Sequence, residues 1–327
     1  MGQEKEVRKL ENRAGRIFEA GRKELIRVLS TPLVPREVSK RLRSNLSRVR
    51  LLSDEEYLAE AKATSPFPDI FDSDATRDIM TTFAMYIPAN PKLRKDEIIV
   101  RRGFLEHNLA AEENVFIILT EELAHSLTSE RRFPLTEISD NSALLLPHLN
   151  KEDLLEKLNG IYAQYYNPDR KLDPEKVVAC RGFNAVYVNE EAQDWFPKFR
   201  EQMVLEESRS SVIQTMFVIF SLMDDSSPQP IEKKFNTAMD VLEVVLKSPY
   251  RILRLREKGA LVFLRAYLKR PGELKALIKD LFSNLSYMTF DEFLLTLSEE
   301  EQEAFLTTIK FIAEEYKKKP EEPDKNS

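Results

Sequence analysis

The sequence is poor in cysteine and glycine and has no long apolar run, and each scarcity argues against a class of protein. A single cysteine, Cys180, among 327 residues excludes an internal disulfide framework and favours a reducing compartment. Eight glycines beside many Leu, Glu, Lys and Arg residues favour helices over β-sandwiches and barrels. The most apolar segment, 212–223, is too short to cross a bilayer, and charges from Glu4 onward argue against a secretory signal. We therefore expect a helical protein of the cytoplasm without a transmembrane segment.

The motifs of several enzyme classes are also missing. The chain has no Gly-x-Ser-x-Gly nucleophile motif, no P-loop and no dinucleotide fingerprint. Cys180 stands beside Arg181 without an obvious histidine partner in the sequence, so we interpret it as a buried structural thiol. These observations argue against nucleophilic catalysis and against a nucleotide-binding site.

The charge of the chain is uneven. Residues 1–50 carry 14 Lys and Arg residues against 6 Asp and Glu residues, whereas the remainder carries 35 basic against 49 acidic residues. Such asymmetry can mark a contact with nucleic acid or a membrane, but no aromatic residues are interleaved with the basic ones, as a single-strand binder would need. We predict instead that the basic arm contacts an acidic surface, either the protein's own acidic body or a second copy of the chain. The expected partner is another protein or a second copy.

Helical periodicity covers most of the chain, with one β-compatible region. The pattern predicts helices over 4–29, 35–52, 53–63, 112–126, 151–166, 174–195, 198–223, 231–247, 249–269, 272–284 and 299–318. Thr82–Ile87 and Glu97–Arg101 predict two strands, and 103–108 is expected to be a connection. The stretch 53–56, Ser-Asp-Glu-Glu, matches the capping box that begins a helix.

The helix predicted over 112–126 carries Glu121, Glu122 and His125 within about one turn. Zincin-type peptidases use a His-Glu-x-x-His helix, in which two histidines four residues apart bind zinc and the intervening Glu polarises the bound water. Here the base position and the second ligand position match, and Glu121 replaces the first histidine. Carboxylate oxygen is an accepted zinc ligand, although its negative charge reduces the acidity of the bound water.

Neighbouring segments extend this pattern. An Ile-Ile-Val run at 98–100 precedes a Gly-Phe-Leu-Glu-His stretch at 103–107, an acidic helix start at 110–113, and the apolar run that ends in Glu-Leu-Ala-His. Over about residues 80–205 the sequence resembles the zinc metallopeptidases related to the CAAX prenyl proteases. A Glu-Ala pair followed by Trp-Phe at 191–196 is similar to the phage-repressor-cleaving metallopeptidases.

The resemblance implies a role for each residue of the motif. Glu122 would be the general base, and His125 and Glu121 would bind zinc. Glu190, or its neighbour Glu191, would be the third ligand from the helix predicted over 174–195. The expected cofactor is therefore zinc if the site is intact, and none if the family's chemistry has lapsed.

Two interpretations without zincin chemistry stay open. The pair Glu122 and His125 has the spacing of half a carboxylate-bridged di-iron site, but neither His107 nor His148 has a Glu three residues before it. In the second interpretation, the chain is a purely helical adaptor with the apolar run 216–220 in its core.

Taken together, the patterns predict a mainly α fold with a small β element. We expect a basic helical arm over 1–64, a zincin-like domain over 65–205, a C-terminal helical bundle over 206–316, and a disordered tail over 317–327. The favoured function is a catalytically lapsed metallopeptidase-like protein that acts as a binding or scaffold module. The alternatives are an active zinc-dependent peptidase with a Glu-His-Glu metal site and an all-helical adaptor.

Overall fold

Helices make up most of the described structure. The computed structural model describes residues 2–64, 83–87, 97–108, 111–128, 142–143, 178–179, 187–188, 195–247, 255–288 and 290–317. These residues are mostly helical with short strands, which confirms the predicted mainly α fold with a small β element. Within those ranges, no helix is both long and apolar enough to cross a membrane.

The described residues fall into two compact units. The first unit takes those in Met1–Ala14, Arg48–Asn108 and Ser129–Met203. The second unit takes those in Gly15–Ser47, Leu109–Thr128 and Val204–Ser327.

The helices and strands have the following bounds. The helices of the described residues are α1 (Gly2–Val28), α2 (Arg36–Leu46), α3 (Asp54–Thr64), α4 (Arg102–His107), α5 (Ala111–Thr128), α6 (Trp195–Leu222), α7 (Ile231–Lys247), α8 (Leu255–Tyr267), α9 (Leu274–Tyr287), α10 (Phe290–Leu295) and α11 (Glu299–Lys317). The strands are β1 (Arg50–Leu52), β2 (Ala84–Ile87), β3 (Glu97–Arg101), β4 (Ser142–Ala143), β5 (Val178–Ala179) and β6 (Tyr187–Val188). The two predicted strands and most predicted helices are present near their expected bounds, whereas the helix predicted over 151–166 lies outside the described residues.

Three predictions of secondary structure were wrong. Of the helix predicted over 35–52, only α2 is helical, and it ends at Leu46. The last three residues of the predicted range form β1, which pairs in parallel with β3. The connection predicted over 103–108 is largely the short helix α4. Within the helix predicted over 174–195, β5 and β6 pair with each other in antiparallel fashion. In the first case, the pairing partner β3 lies outside the window in which helical periodicity is read, so the local pattern cannot show it.

Strand β3 is the centre of the sheet in the first unit. It pairs in parallel with β1 and in antiparallel fashion with β2. Its three central residues, 98–100, are buried, as expected for a strand covered on both faces. Ile99 packs with Ile87 of β2 and Tyr57 of α3 in one apolar cluster.

The predicted capping box at the start of α3 is present, and both of its reciprocal hydrogen bonds are formed. The Ser53 backbone N–H donates to Glu56 Oε2 at 2.8 Å, and the Glu56 backbone N–H donates to Ser53 Oγ at 3.2 Å. The hydrogen bond from the Ser53 backbone and that with its side chain lower the pKa of Glu56 below its ordinary value. The local sequence therefore determines where α3 begins.

We expect the capping box to give a small pH-dependent stability. Because the pKa of Glu56 is lower in the folded than in the unfolded chain, its contribution is present above the ordinary carboxyl pKa and is lost as the pH falls through the lowered value. Urea unfolding at pH 6 and pH 3 should show Glu56→Gln losing less stability on acidification than the wild type. The exposed neighbour Glu55 is the control, since Glu55→Gln should keep the wild-type acid dependence. Equal acid dependence in wild type and Glu56→Gln would refute the assignment.

Several arginines of the basic arm bind backbone carbonyls of their own unit. In the first unit, the Arg13 guanidinium donates to Glu106 O at 2.8 Å and to Asn108 O at 3.2 Å. In the second unit, Arg41 donates to Ser126 O at 2.6 Å, and Arg27 pairs with Glu24 and Asp225. Part of the arm's charge therefore stabilises the chain itself.

Helix α6 is the core of the second unit. All of its residues from 208 to 220 are buried, on every side of the helix, which marks the central helix of a bundle. Phe217 contacts Phe282 of α9 with ring centroids 5.8 Å apart, and Phe220 contacts Phe235 of α7 at 6.0 Å. The apolar run 216–220 is thus part of the core.

Candidate metal centre

Helices α5 and α6 lie antiparallel in the second unit. Gln214 Nε2 of α6 donates to Ile117 O of α5 at 3.2 Å, and Glu207 Oε1 lies 3.5 Å from His125 Nε2. Two turns forward along α6 thus correspond to about two turns back along α5. This pairing brings the C-terminal part of α5 beside the N-terminal half of α6.

Three ligand-type side chains meet where the helices pair. Glu121 and His125 are four residues apart and share one face of α5, and Glu207 reaches them from α6. One ligand atom from each side chain lies within 4.8 Å of the other two, and all three residues are half-buried. We call these three residues the Glu-His-Glu triad.

The spacing within the triad suits a divalent transition metal. Zinc lies about 2.0–2.2 Å from imidazole nitrogen and carboxylate oxygen, so two ligands of a tetrahedral site are about 3.4 Å apart. The observed 3.5 Å between His125 Nε2 and Glu207 Oε1 matches that separation. Three protein ligands leave a fourth tetrahedral position for water.

The other predicted site residues have different positions. Glu122 follows Glu121 by one residue, so it projects about 100° further round α5, and it is half-buried. Glu190 and Glu191 lie outside the described residues. Sequence reasoning missed Glu207, which the structure places 17 positions after Glu190 and beside His125. The missing signal was the antiparallel pairing of α5 with α6, since local periodicity shows each helix but not its neighbour.

A second helix holds the C-terminal turn of α5 next to the triad. Asn45 Nδ2 of α2 donates to Ser126 Oγ at 2.9 Å, and the Arg41 guanidinium donates to Ser126 O. Ser126 follows His125 directly, so these bonds restrain the turn that carries the imidazole. The triad is therefore built on an anchored helix, which favours preorganised ligands.

The face of α6 that carries Glu207 continues the polar character of the triad. Ser211 and Gln214 follow Glu207 at helical spacing, and both are about 1% exposed. Within the described part of the chain, Ser211 Oγ and Gln214 Oε1 have no hydrogen-bond partner. Buried polar atoms normally have one, so this face of α6 has unused hydrogen-bonding capacity.

Comparisons with protein-family models, with curated proteins and with solved structures find no match for this chain. The triad geometry is therefore the main basis for a functional proposal.

Proposed function

We propose that the protein is a catalytically lapsed, metallopeptidase-like scaffold in which the Glu-His-Glu triad binds one divalent transition metal ion, with zinc as the preferred ion. The proposal is carried by the position of one ligand atom from each of Glu121, His125 and Glu207 within 4.8 Å of the others. A mixed imidazole and carboxylate donor set suits zinc. The ion would join α5 to α6 in the core of the second unit.

The electrostatics of the triad support a structural ion over a catalytic one. Two carboxylates cancel the charge of a divalent cation, so the ion acidifies a bound water less than it would with neutral ligands. The His125 and Glu207 side chains are 15% and 19% exposed, which leaves little surface for a polypeptide substrate. Both features favour a binding or scaffold module.

An active zinc peptidase is the second candidate. The supporting observation is that Glu122 keeps the general-base position between the two α5 members of the triad and shares a helix face with His125, three residues on. A mainly helical adaptor without zincin ancestry is the third candidate, and it requires no metal.

Zinc binding by the triad is the test. We expect purified protein dialysed against micromolar zinc to retain about one ion per chain. His125→Ala and the isosteric Glu207→Gln should each weaken zinc affinity by at least roughly 10–100-fold, the loss that follows when a group hydrogen-bonded to a metal ligand is removed. Elemental analysis and competition with a chromogenic chelator give stoichiometry and affinity.

Two controls separate the three candidates. His107→Ala removes an exposed histidine of α4 in the first unit, so it should leave zinc affinity unchanged. Hydrolysis of an unstructured protein substrate that is lost in Glu122→Gln would support the active peptidase and reject the lapsed scaffold. Wild-type protein that retains no zinc would leave the adaptor as the surviving candidate.

A further inference from the structure

Ser211 is a buried hydroxyl group that its own helix does not satisfy. It lies one turn after Glu207 on α6, and its Oγ has no hydrogen-bond partner among the described residues. Two other buried serines in these helices donate to the carbonyl three residues back: the Ser210 hydroxyl donates to Glu207 O at 3.0 Å, and the Ser126 hydroxyl donates to Leu123 O at 2.7 Å. Ser211 does not make that local bond, although it is equally buried.

The helix geometry places Ser211 on the face of α6 that carries Glu207. Residues 207, 211 and 214 fall within about 60° of one another around α6, and the first and last of them contact α5. Ser210 lies on the other side of Glu207, about 60° from it around the axis, and its hydroxyl already donates to Glu207 O. Side chains in a helix lean toward its N-terminus, which moves the Ser211 hydroxyl toward Glu207.

An ion in the triad would give Ser211 a partner. Three protein ligands leave one tetrahedral position, which water fills. A metal-bound water has hydrogen-bonding groups to satisfy, and groups beyond the ligands hold such a water and tune the site. A buried hydroxyl with both donor and acceptor capacity on the face of α6 that carries Glu207 can do this.

We propose that Ser211 is the fourth group of the metal centre and that its hydroxyl holds the water that completes the coordination of the ion. The inference rests on the proposed function, since it requires an ion in the triad. It adds a residue that no zincin motif contains. It also explains why this serine, unlike Ser210, leaves the carbonyl three residues back unused.

Metal affinity and apo-protein stability test the role of Ser211 separately. Ser211→Ala should weaken zinc affinity by roughly 10–100-fold, the usual effect of losing a partner beyond the ligands. The urea midpoint of the metal-free variant should equal or exceed that of wild type, because the hydroxyl that is removed has no partner to leave behind. Ser210→Ala, a change at the equally buried neighbour, should leave zinc affinity unchanged.

Cobalt spectroscopy tests the position of the side chain. In Ser211→Cys the thiol should take the place of the water and bind the ion as a thiolate. Co²⁺-loaded Ser211→Cys should therefore show a near-ultraviolet thiolate-to-cobalt charge-transfer band that wild type and Ser210→Cys lack.

The possible failures are distinguishable. Wild-type protein that binds neither zinc nor cobalt rejects the proposed function and, with it, the role of Ser211. Wild-type protein that binds the ion while Ser211→Ala binds it equally well rejects the role of Ser211 alone. Cobalt bound by Ser211→Cys without the charge-transfer band also rejects that role.

Discussion

Replacing Gly259 by alanine should lower the free energy of unfolding by about 3 kcal/mol, as overpacking of a tight core contact does. Gly259 lies in α8 where that helix meets α11. A Cβ atom there would lie 2.9 Å from Thr308 N and still closer to Thr308 Cα. The obstacle is helix backbone, so it cannot rotate away as the end of a flexible side chain can.

The surrounding packing makes relief by a helix shift costly. Phe263 of α8 and Phe305 of α11 meet edge to face with ring centroids 5.1 Å apart, and Phe293 of α10 contacts both rings. All three rings are fully buried. Moving α8 away from α11 would open this aromatic cluster, and the cluster contributes beyond its buried area.

Gly15→Ala is the matched control for Gly259→Ala. Gly15 also lies inside a helix, α1, but nothing lies within 4 Å of the Cβ that alanine would add. The change should therefore stabilise the protein by about 0.5–1 kcal/mol through helix propensity. Urea unfolding of both variants measures the contrast. Similar stabilities for the two variants would contradict the close approach of α8 and α11.

The sequence predicts what depends on neighbouring residues. The capping box at Ser53 and Glu56 is read from four consecutive letters, and the structure forms both of its hydrogen bonds. Helices such as α5 and α7 follow from the periodicity of their own apolar residues. The role of Gly259 is not visible in this way, since a glycine inside a helix pattern indicates only weak propensity. Its reason lies at Thr308, 49 positions further on.

In the candidate site, too, local spacing predicts some residues and tertiary pairing determines the others. Glu121 and His125 are adjacent turns of one helix, so their common face could be predicted from spacing. Glu207 joins them only because α5 and α6 pair in antiparallel fashion, which no local pattern specifies. The role proposed for Ser211 depends on a hydrogen bond that is not made, and only side-chain positions reveal such an absence. The prediction of helix at 50–52 was wrong for the same reason, because β1 forms only by pairing with β3, where the partner of Arg50 is Ile99.

Glu301→Ala should destabilise the protein by about 3 kcal/mol, because Glu301 joins three interactions in one buried carboxylate. Its side chain is 3% exposed and forms a two-point ion pair with Arg270, in which Arg270 Nη2 donates to Glu301 Oε2 at 2.6 Å. The same oxygen accepts from the Ser298 backbone N–H at 2.7 Å and so caps α11. Breaking a buried ion pair by removing one partner typically costs about 3–5 kcal/mol, and the partial exposure of Arg270 places this pair at the lower end.

The guanidinium of Arg270 extends the effect to α8. Its Cζ atom lies 4.2 Å from the ring centroid of Tyr267, and Nη2 also donates to Thr296 O at 2.9 Å. Burial lowers the pKa of Arg270, but the hydrogen bond of Glu301 and the charges of Tyr267, Glu301 and Asp280 together raise it above its ordinary value. Without the carboxylate, the arginine keeps its positive charge and loses its main anionic partner. The contact of the Arg270 guanidinium with the Tyr267 ring should therefore loosen when Glu301 is removed.

Two further variants divide the 3 kcal/mol into its parts. Glu301→Gln keeps a side chain that can serve in a capping box and removes only the charge, so about half of the loss should remain. Ser298→Ala removes the hydroxyl that accepts from the Glu301 backbone N–H at 3.3 Å, and should cost about 1 kcal/mol. If Glu301→Gln were as stable as wild type, the ion pair would contribute nothing and the cap alone would explain the effect.

The neighbouring ion pair between Lys269 and Glu300 gives the contrast that ties the effect to burial. Its atoms are 2.9 Å apart, as close as in many buried pairs, but its side chains are 69% and 66% exposed. Exposed pairs contribute about 0–1 kcal/mol and are screened by salt. Lys269→Ala should therefore change the free energy of unfolding little, and any change should vanish in 1 M sodium chloride. The loss of stability in Glu301→Ala should persist at that salt concentration. A Glu301→Ala effect that salt abolishes would mean that the carboxylate acts as a surface charge, and the junction of α8 with α11 would then depend on Gly259 and the aromatic cluster alone.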